Sequence, residues 1–430
     1  MGRLGSEAAP SRRRPSSVYA AAMTLPARNT LAIIGAGPVG LEALSAAIDA
    51  GFDVHLFERG EPAAHPVAWG HVSMFTLWRM NLGSSSARRL AAAGWTAPDA
   101  NALSTGNELA ERYLQPLSQL PEMKSRIHSH SRVVHVSRRG LVKDDALDAR
   151  ARAEHPFRLL VRDQGGRENF IHAFAVIDAS GVYGQPNHAG DGGIPARNEL
   201  YLAPQMSYHI DDVNGLRRER YAGKRTIVIG GGSGAATLVA GLVELAAQVP
   251  GTAVTWITRE PANVLYPELP DDPLAPRRAL FAAARGWIAG GEPSVRHLGG
   301  AIVDGIQYNS ATHRYTVSAT CGELPAVEEA DQVTVNAGYG PDTTVYRELQ
   351  VDECPLTRGV RGISMAVRGA ASQPGATADP ALLAHPEPNF YIVGHKSFGR
   401  SPNFLLEQGY AQVSAVMAKL GADLGVEAGS

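Results

Sequence analysis

The chain has 430 residues, 44% of them apolar, with 40 basic and 42 acidic side chains that leave a formal net charge of −2. That length exceeds what one hydrophobic core supports, so two or more domains are expected, and the near balance of charge gives no electrostatic footprint for nucleic acid or an anionic membrane surface. No apolar run approaches the ~20 residues of a membrane span, and the two cysteines, Cys321 and Cys354, fit a reducing cytoplasm and give no disulfide framework.

Residues 1–28 are rich in Ala, Ser, Pro and Arg, include Arg12-Arg13-Arg14-Pro15 and lack apolar periodicity, which predicts disorder. Val18 to Met23 is too short and alanine-rich to serve as a secretory core. The ordered chain begins with Leu31 to Ile34, read as a buried parallel strand, followed by the turn Gly35-Ala36-Gly37-Pro38-Val39-Gly40 and apolar residues at helical spacing, Leu41, Leu44 and Ile48. Gly51 suits a helix end, and Asp53 to Phe57 resumes a strand that stops at Glu58. Strand, glycine turn, helix, strand and acid in that order are the dinucleotide-binding pattern. The glycines allow a tight turn and close backbone approach to a pyrophosphate, and the acid accepts hydrogen bonds from ribose hydroxyls.

Trp69 to Asn81 follows, dense in aromatic and amide side chains. Then come a helix from Asn107 to Leu120, weakened in its second half by Pro116, and strands at Val133 to Val136, Phe157 to Arg162 and Ala175 to Asp178. The last strand runs into Asp178-Ala179-Ser180-Gly181. A second dinucleotide pattern occupies Arg225 to Ile229 (strand), Gly230-Gly231-Gly232-Ser233-Gly234-Ala235 (turn), Ala235 to Val249 (helix) and Ala253 to Thr258 (strand). Arg259 stands where Glu58 stood, and a guanidinium there can fork onto a 2′-phosphate, which favours NADPH over NADH. Arg277 and Arg278 lie downstream as further candidates for that phosphate. The strand Gln332 to Val335 leads into Asn336-Ala337-Gly338-Tyr339-Gly340. These two small-residue segments read as crossovers, so the fold class expected is α/β with two Rossmann-like domains, each three-layered around a central parallel sheet. Residues 29–221 and 337–425 would form the first domain and 222–336 the inserted one.

From about Thr30 to Leu420 these motifs resemble the flavoproteins with two dinucleotide-binding domains, the class that holds flavin-containing monooxygenases, N-hydroxylating monooxygenases and thioredoxin reductase-like enzymes. The resemblance implies FAD on Gly35, Gly37, Pro38, Gly40, Glu58 and Arg59, with Ser180, Gly181 and Gly338 in the two hinge segments. It implies NADPH on Gly230, Gly232, Ser233, Gly234 and Arg259. Near the carboxy terminus Asn389 to Gly394 reads as the strand that returns to the flavin, followed by a helix through Ala418. Here Gly394-His395 replaces the family's Gly-Asp, so Lys396, Ser397 or Asn403 are expected to supply polar contacts, with Phe404 beside them. By the same resemblance Trp69 would run along the flavin, with His71 and Asn81 as catalytic candidates, although Met, Phe and Trp in this stretch also suit a core. Of the aromatic-histidine motif that flavin-containing monooxygenases carry before their second unit, only Tyr208-His209 remains.

Disulfide reductases of this architecture need a vicinal dithiol, and no cysteine pair stands close in this sequence. The reading is therefore an FAD- and NADPH-dependent monooxygenase, acting on a small nitrogen- or sulfur-containing metabolite and molecular oxygen through a flavin C4a-hydroperoxide. The alternative is a flavin-dependent reductase passing electrons to a small acceptor or redox partner. Either is compatible with a homo-oligomer.

Overall fold

The computed structural model describes residues 25–268, 270–369 and 378–426. Of residues 1–28, for which disorder is expected, 1–24 lie outside them, while within 25–28 the Ala27 carbonyl accepts the Thr30 amide at 3.0 Å and Arg28 pairs with Glu154. Two parallel sheets organise the chain. In the first, Phe390–Ile392, Ala175–Asp178, Thr30–Ile34, Asp53–Phe57 and Ile127–His128 lie side by side in that order, all parallel. Thr30–Ile34 is buried along its whole length, as a central strand covered on both faces must be, and its unbroken apolar run follows from that. Helices Pro38–Asp49 and Leu406–Leu424 pack together against the sheet, and an antiparallel sheet of Arg132–Arg138, Phe157–Arg162 and Glu168–Ala173 completes the layers.

The second sheet has the order Val295–Gly299, Ala253–Thr258, Arg225–Ile229, Gln332–Val335, again parallel. One face is covered by helices Ser233–Gln248 and Ala275–Ile288 and packs Val228, Leu238, Leu242 and Trp256. The other is covered by the antiparallel strands Ala301–Asn309, Arg314–Cys321 and Leu324–Ala330, and packs Ile227, Ile229, Ile257, Val303 and Val317. Alternate residues of Arg225–Ile229 thus serve opposite cores, the period of two that a pleated strand imposes.

The crossovers are paired with each other. The Asn187 amide donates to the Gly338 carbonyl at 2.9 Å, and the Gly340 amide to the Gln185 carbonyl at 2.9 Å. Beyond them the chain joins the second sheet early: Ser207 bridges Thr334, and Ala196, Leu202 and Met206 enter the second unit's core. Val213 and Tyr221 do the same on its helical face. These contacts begin well before residue 222, because Ala196, Leu202 and Met206 share one apolar cluster with the antiparallel layer and the sheet it covers.

Pro116 has a visible effect. The helical stretch is continuous from Gly106 to Gln119 but relaxes into a π turn over Ala110–Leu114. Proline has no N–H for the carbonyl one turn earlier. That carbonyl, on Arg112, instead accepts the indole N–H of Trp95 at 2.8 Å.

Candidate functional site

At the first turn each glycine has a different physical task. Gly35 adopts φ +98° and its amide donates to the Phe57 carbonyl at 2.8 Å, so the chain reverses at the strand end in a conformation L side chains avoid. A Cβ on Gly40 would stand 1.9 Å from the Gly35 carbonyl oxygen, whereas one on Gly37 would meet nothing within 4 Å. The helix is thereby pressed onto its own turn while the turn's outer side stays open. Pro38 starts the helix, where its missing N–H costs nothing. Glu58 ties the turn to the next strand: Oε2 accepts from the Ala36 amide and Oε1 from the Gly60 amide, both at 2.8 Å.

The second turn repeats the plan with different fastenings. Gly230 sits at φ +141°, and a Cβ there would stand 2.2 Å from the Asn336 carbonyl oxygen. Gly232 faces open space, and Ser233 begins the helix Ser233–Gln248. At the following strand end Arg259 is 81% exposed and paired with its neighbour Glu260 at 2.6 Å. A surface pair of this kind is worth little and leaves the guanidinium free to exchange partners. Arg277 and Arg278 are committed elsewhere: Arg277 forks onto the Asp272 carboxylate at 2.6 and 2.7 Å, and Arg278 donates to the Asp272 carbonyl.

Both turns open into one cleft of about 550 Å³. Gly35, Gly37, Pro38, Glu58 and Arg59 line one part of it, Ser233, Gly234 and Thr237 another, and the crossover residues Ser180 and Gly181 lie between. Trp69, Val72, Met74, Phe75, Leu405 and Leu406 make much of the remaining wall apolar. Gly394, at φ +71°, and Phe404 also line it. The amide of Gly394 is held by Gln412 Oε1 at 2.8 Å.

Several residues expected here stand elsewhere. Asn81 is fully buried outside the lining; its Oδ1 accepts from the Thr76 hydroxyl at 2.7 Å and its carbonyl from Tyr410 at 2.9 Å. It fastens the junction between strand Ser73–Leu77 and the carboxy-terminal helix. His71 is exposed and also lies outside the lining. Lys396 and Ser397 point into the core. Lys396 Nζ pairs with Asp178 Oδ2 at 2.6 Å and reaches Ser180 Oγ at 3.1 Å, and the Ser397 hydroxyl donates to the Gly394 carbonyl at 2.7 Å. Asn403 is exposed. In a four-residue helix, His395–Phe398, successive side chains cannot all face one cleft, and the one that does is His395. It stacks on Phe404 with centroids 5.3 Å apart, and burial pushes its pKa down to about 4, so the ring is neutral. Gly40, Gly230, Gly232, Arg259 and Gly338 do not line the cleft either. The first two shape their turns from behind.

Four rings that the sequence did not bring together meet at the crossovers. Tyr183 stacks on His209 at 4.3 Å and lies 5.0 Å from His65 and 5.2 Å from Tyr339. Tyr339 Oη and His209 Nδ1 are 3.0 Å apart. His65 Nε2 lies 2.7 Å from Arg59 Nη2; because arginine only donates, Nε2 is the acceptor and Nδ1 carries the proton. Burial lowers the pKa of both histidines, with the Arg59 charge adding to the effect on His65. The available signal was an aromatic residue just past each crossover glycine, Tyr183 after Gly181 and Tyr339 after Gly338.

No family model matches the sequence, and no curated protein matches it. The fold is similar to that of solved thioredoxin reductases, bacillithiol disulfide reductases and ornithine N-hydroxylases. Bacillithiol disulfide reductase Bdr (YpdA) from Bacillus cereus is similar over 92% of this chain and 99% of its own, at 18% identity and a TM-score of 0.65. The ornithine N-hydroxylase KtzI of Kutzneria sp. 744, solved with FADred, NADP+ and L-orn, is similar over 93% and 100%, at 15% identity and a TM-score of 0.58. Thioredoxin reductase from T. acidophilum matches over 90% and 97%, at 16% identity and a TM-score of 0.55.

Proposed function

We propose that this chain is an FAD-dependent oxidoreductase that draws electrons from NADPH and delivers them to molecular oxygen, oxygenating a small nitrogen- or sulfur-containing metabolite. The observation that carries this reading is the single cleft onto which Gly37 and Glu58 of one glycine turn and Ser233 and Gly234 of the other both open. Two nucleotides held there would meet head to head.

The residues fit FAD. The open side of Gly37 admits a pyrophosphate at the start of a 12-residue helix. The Glu58 oxygens each accept one amide hydrogen bond, which leaves lone pairs for ribose hydroxyls. Trp69, Phe404 and the start of helix Leu406–Leu424 would border the ring system. Bound there, the flavin would supply two-electron transfer and reaction with oxygen. The chain's own part is orientation and the exclusion of water by Val72, Met74, Phe75, Leu405 and Leu406. On the second turn Ser233 and Gly234 would hold the NADPH pyrophosphate, and Arg259 would exchange Glu260 for the 2′-phosphate.

Neither cysteine lines the cleft. Cys321 ends a strand of the second unit's antiparallel layer and Cys354 is buried in the loop after the second crossover. Electrons that reach the flavin therefore have no cleft thiol to pass to, which favours oxygen as acceptor. Direct transfer to a small acceptor is the second reading, favoured by the likeness to a bacillithiol disulfide reductase.

Anaerobic reduction by NADPH followed by rapid mixing with oxygen separates them. An oxygen-dependent spectral transient that persists until substrate is added is the expected result. Immediate reoxidation with stoichiometric peroxide release would favour the second reading, and failure of NADPH to reduce the flavin would sink both.

A further inference from the structure

The carbonyls of the second glycine turn are pinned by two buried rings. Trp256, on the strand beside the turn and wholly buried, donates its indole N–H to the Gly230 carbonyl at 2.8 Å. Tyr266 is 4% exposed and donates its hydroxyl to the Gly232 carbonyl at 3.2 Å. The two rings pack on each other with centroids 5.7 Å apart, and Phe281 backs Tyr266 at 4.9 Å. Between them Leu265 closes on the turn, where a Cβ on Gly231 would lie 3.1 Å from its side chain.

Tyr266 holds an unusual backbone to do this. Its φ is +51°, a left-handed conformation that a bulky side chain adopts only when its surroundings impose it. The imposing contacts are the two rings and Arg285, which donates to the Tyr266 carbonyl at 2.9 Å. Strain kept in place by packing, with the side-chain hydroxyl spent on a glycine carbonyl, indicates that the orientation of that peptide matters.

A peptide group is rigid, so fixing its C=O also fixes the direction of the next N–H. The Gly232 carbonyl also accepts the Ala236 amide at 3.1 Å, the first bond of the helix. With the Gly230 carbonyl held by Trp256 and the Gly232 carbonyl by that bond and Tyr266, the amides of Gly231 and Ser233 turn the other way. The first turn is fastened by the opposite chemistry: there the Glu58 carboxylate accepts the Ala36 amide at 2.8 Å. Both turns hold their first glycine through its N–H, Gly35 to the Phe57 carbonyl at 2.8 Å and Gly230 to the Ile257 carbonyl at 3.0 Å. What differs is the side-chain fastening, a carboxylate on an N–H in the first and ring donors on carbonyls in the second.

We propose that Tyr266 and Trp256 are positioning residues that hold the second turn's amides ready for the pyrophosphate of the nicotinamide coenzyme. The inference rests on the reading of this turn as the coenzyme site. Pyrophosphate is common to NADPH and NADH, so the lock serves both equally, unlike Arg259.

The test is Tyr266→Phe, which keeps the ring and removes the donor, measured by titrating the purified flavoprotein with NADP+ and NAD+ and by steady-state kinetics. Loss of one neutral hydrogen bond that orients the turn should raise both dissociation constants by a similar factor, about 3- to 10-fold. The KM for NADPH should rise in step, with kcat and flavin content unchanged. Tyr221→Phe is the control: it removes another buried hydroxyl of the same unit, bonded to Asp211 Oδ2 at 2.6 Å and not touching the turn. It should lower the melting temperature without moving either dissociation constant. Unchanged coenzyme affinity in Tyr266→Phe, or an equal loss in Tyr221→Phe, would overturn the lock. If the unsubstituted protein bound neither coenzyme, the reading beneath it would fail as well.

Discussion

Replacing Lys396 with methionine should destabilise the protein out of proportion to its size, because it breaks an ion pair that water cannot repair. The Lys396 and Asp178 side chains are 1% and 0% exposed and 2.6 Å apart. Removing one partner of such a pair costs about 3–5 kcal/mol, most of it the penalty of a buried charge left without its counter-ion. Asp178 keeps hydrogen bonds from the Ser180 amide at 3.0 Å and hydroxyl at 2.6 Å, which points to the lower end, about 3 kcal/mol. The Lys396 ammonium also lies 5.0 Å from the centroid of the buried Tyr346 ring, which adds up to about 2 kcal/mol in this desolvated setting. Urea unfolding followed by tryptophan fluorescence measures the loss. Because the orphaned charge dominates, Lys396→Met combined with Asp178→Asn should recover more than half of it. A single variant within about 1 kcal/mol of the parent, or a double variant no better than the single, would refute the reasoning. Flavin retention should fall too, since the pair fixes the Ser180 turn against the cleft.

Glu58→Ala should leave the fold intact and lower the flavin retained through purification, read as the ratio of flavin to protein absorbance; an unchanged ratio removes its ribose role. Arg259→Ala should raise the KM for NADPH by about 10-fold or more while leaving that for NADH within twofold, and equal effects on both would end the 2′-phosphate assignment. Stability should also depend on pH through two partly buried histidines, His385 and His395, whose pKa burial lowers from 6.5 to about 4. The folded state keeps them neutral, so the unfolded chain takes up their protons first. Their contribution is complete above pH 6.5 and is lost as pH falls from there toward about 4, at up to about 1.4 kcal/mol per pH unit for each group. Urea midpoints across that range check it. His395→Gln should flatten the dependence, and an unaltered slope would count against a neutral His395.

What this sequence determined by itself is local. Each glycine turn is a few residues long, and its geometry follows from steric limits at those residues: a positive φ at Gly35 and Gly230, and no room for a Cβ at Gly40. Buried parallel strands announce themselves as apolar runs, so Ala175–Asp178, Arg225–Ile229, Ala253–Thr258 and Gln332–Val335 were legible to the residue. Pro116 signalled a fault in its helix, though not that a π turn and Trp95 would absorb it.

Only the tertiary structure decided which side chains share the cleft. Direction within a short helix or hairpin depends on what packs behind it, and that comes from distant parts of the chain. Lys396 was drawn inward by Asp178, 218 residues away, Asn81 by Tyr410, 329 residues away, and His395 was left facing the cleft. The stack of Tyr183, His209, Tyr339 and His65 forms for the same reason. Its members come from the two crossovers, the second unit's edge and a short first-unit helix, and only the folded chain brings them within a ring's width of one another.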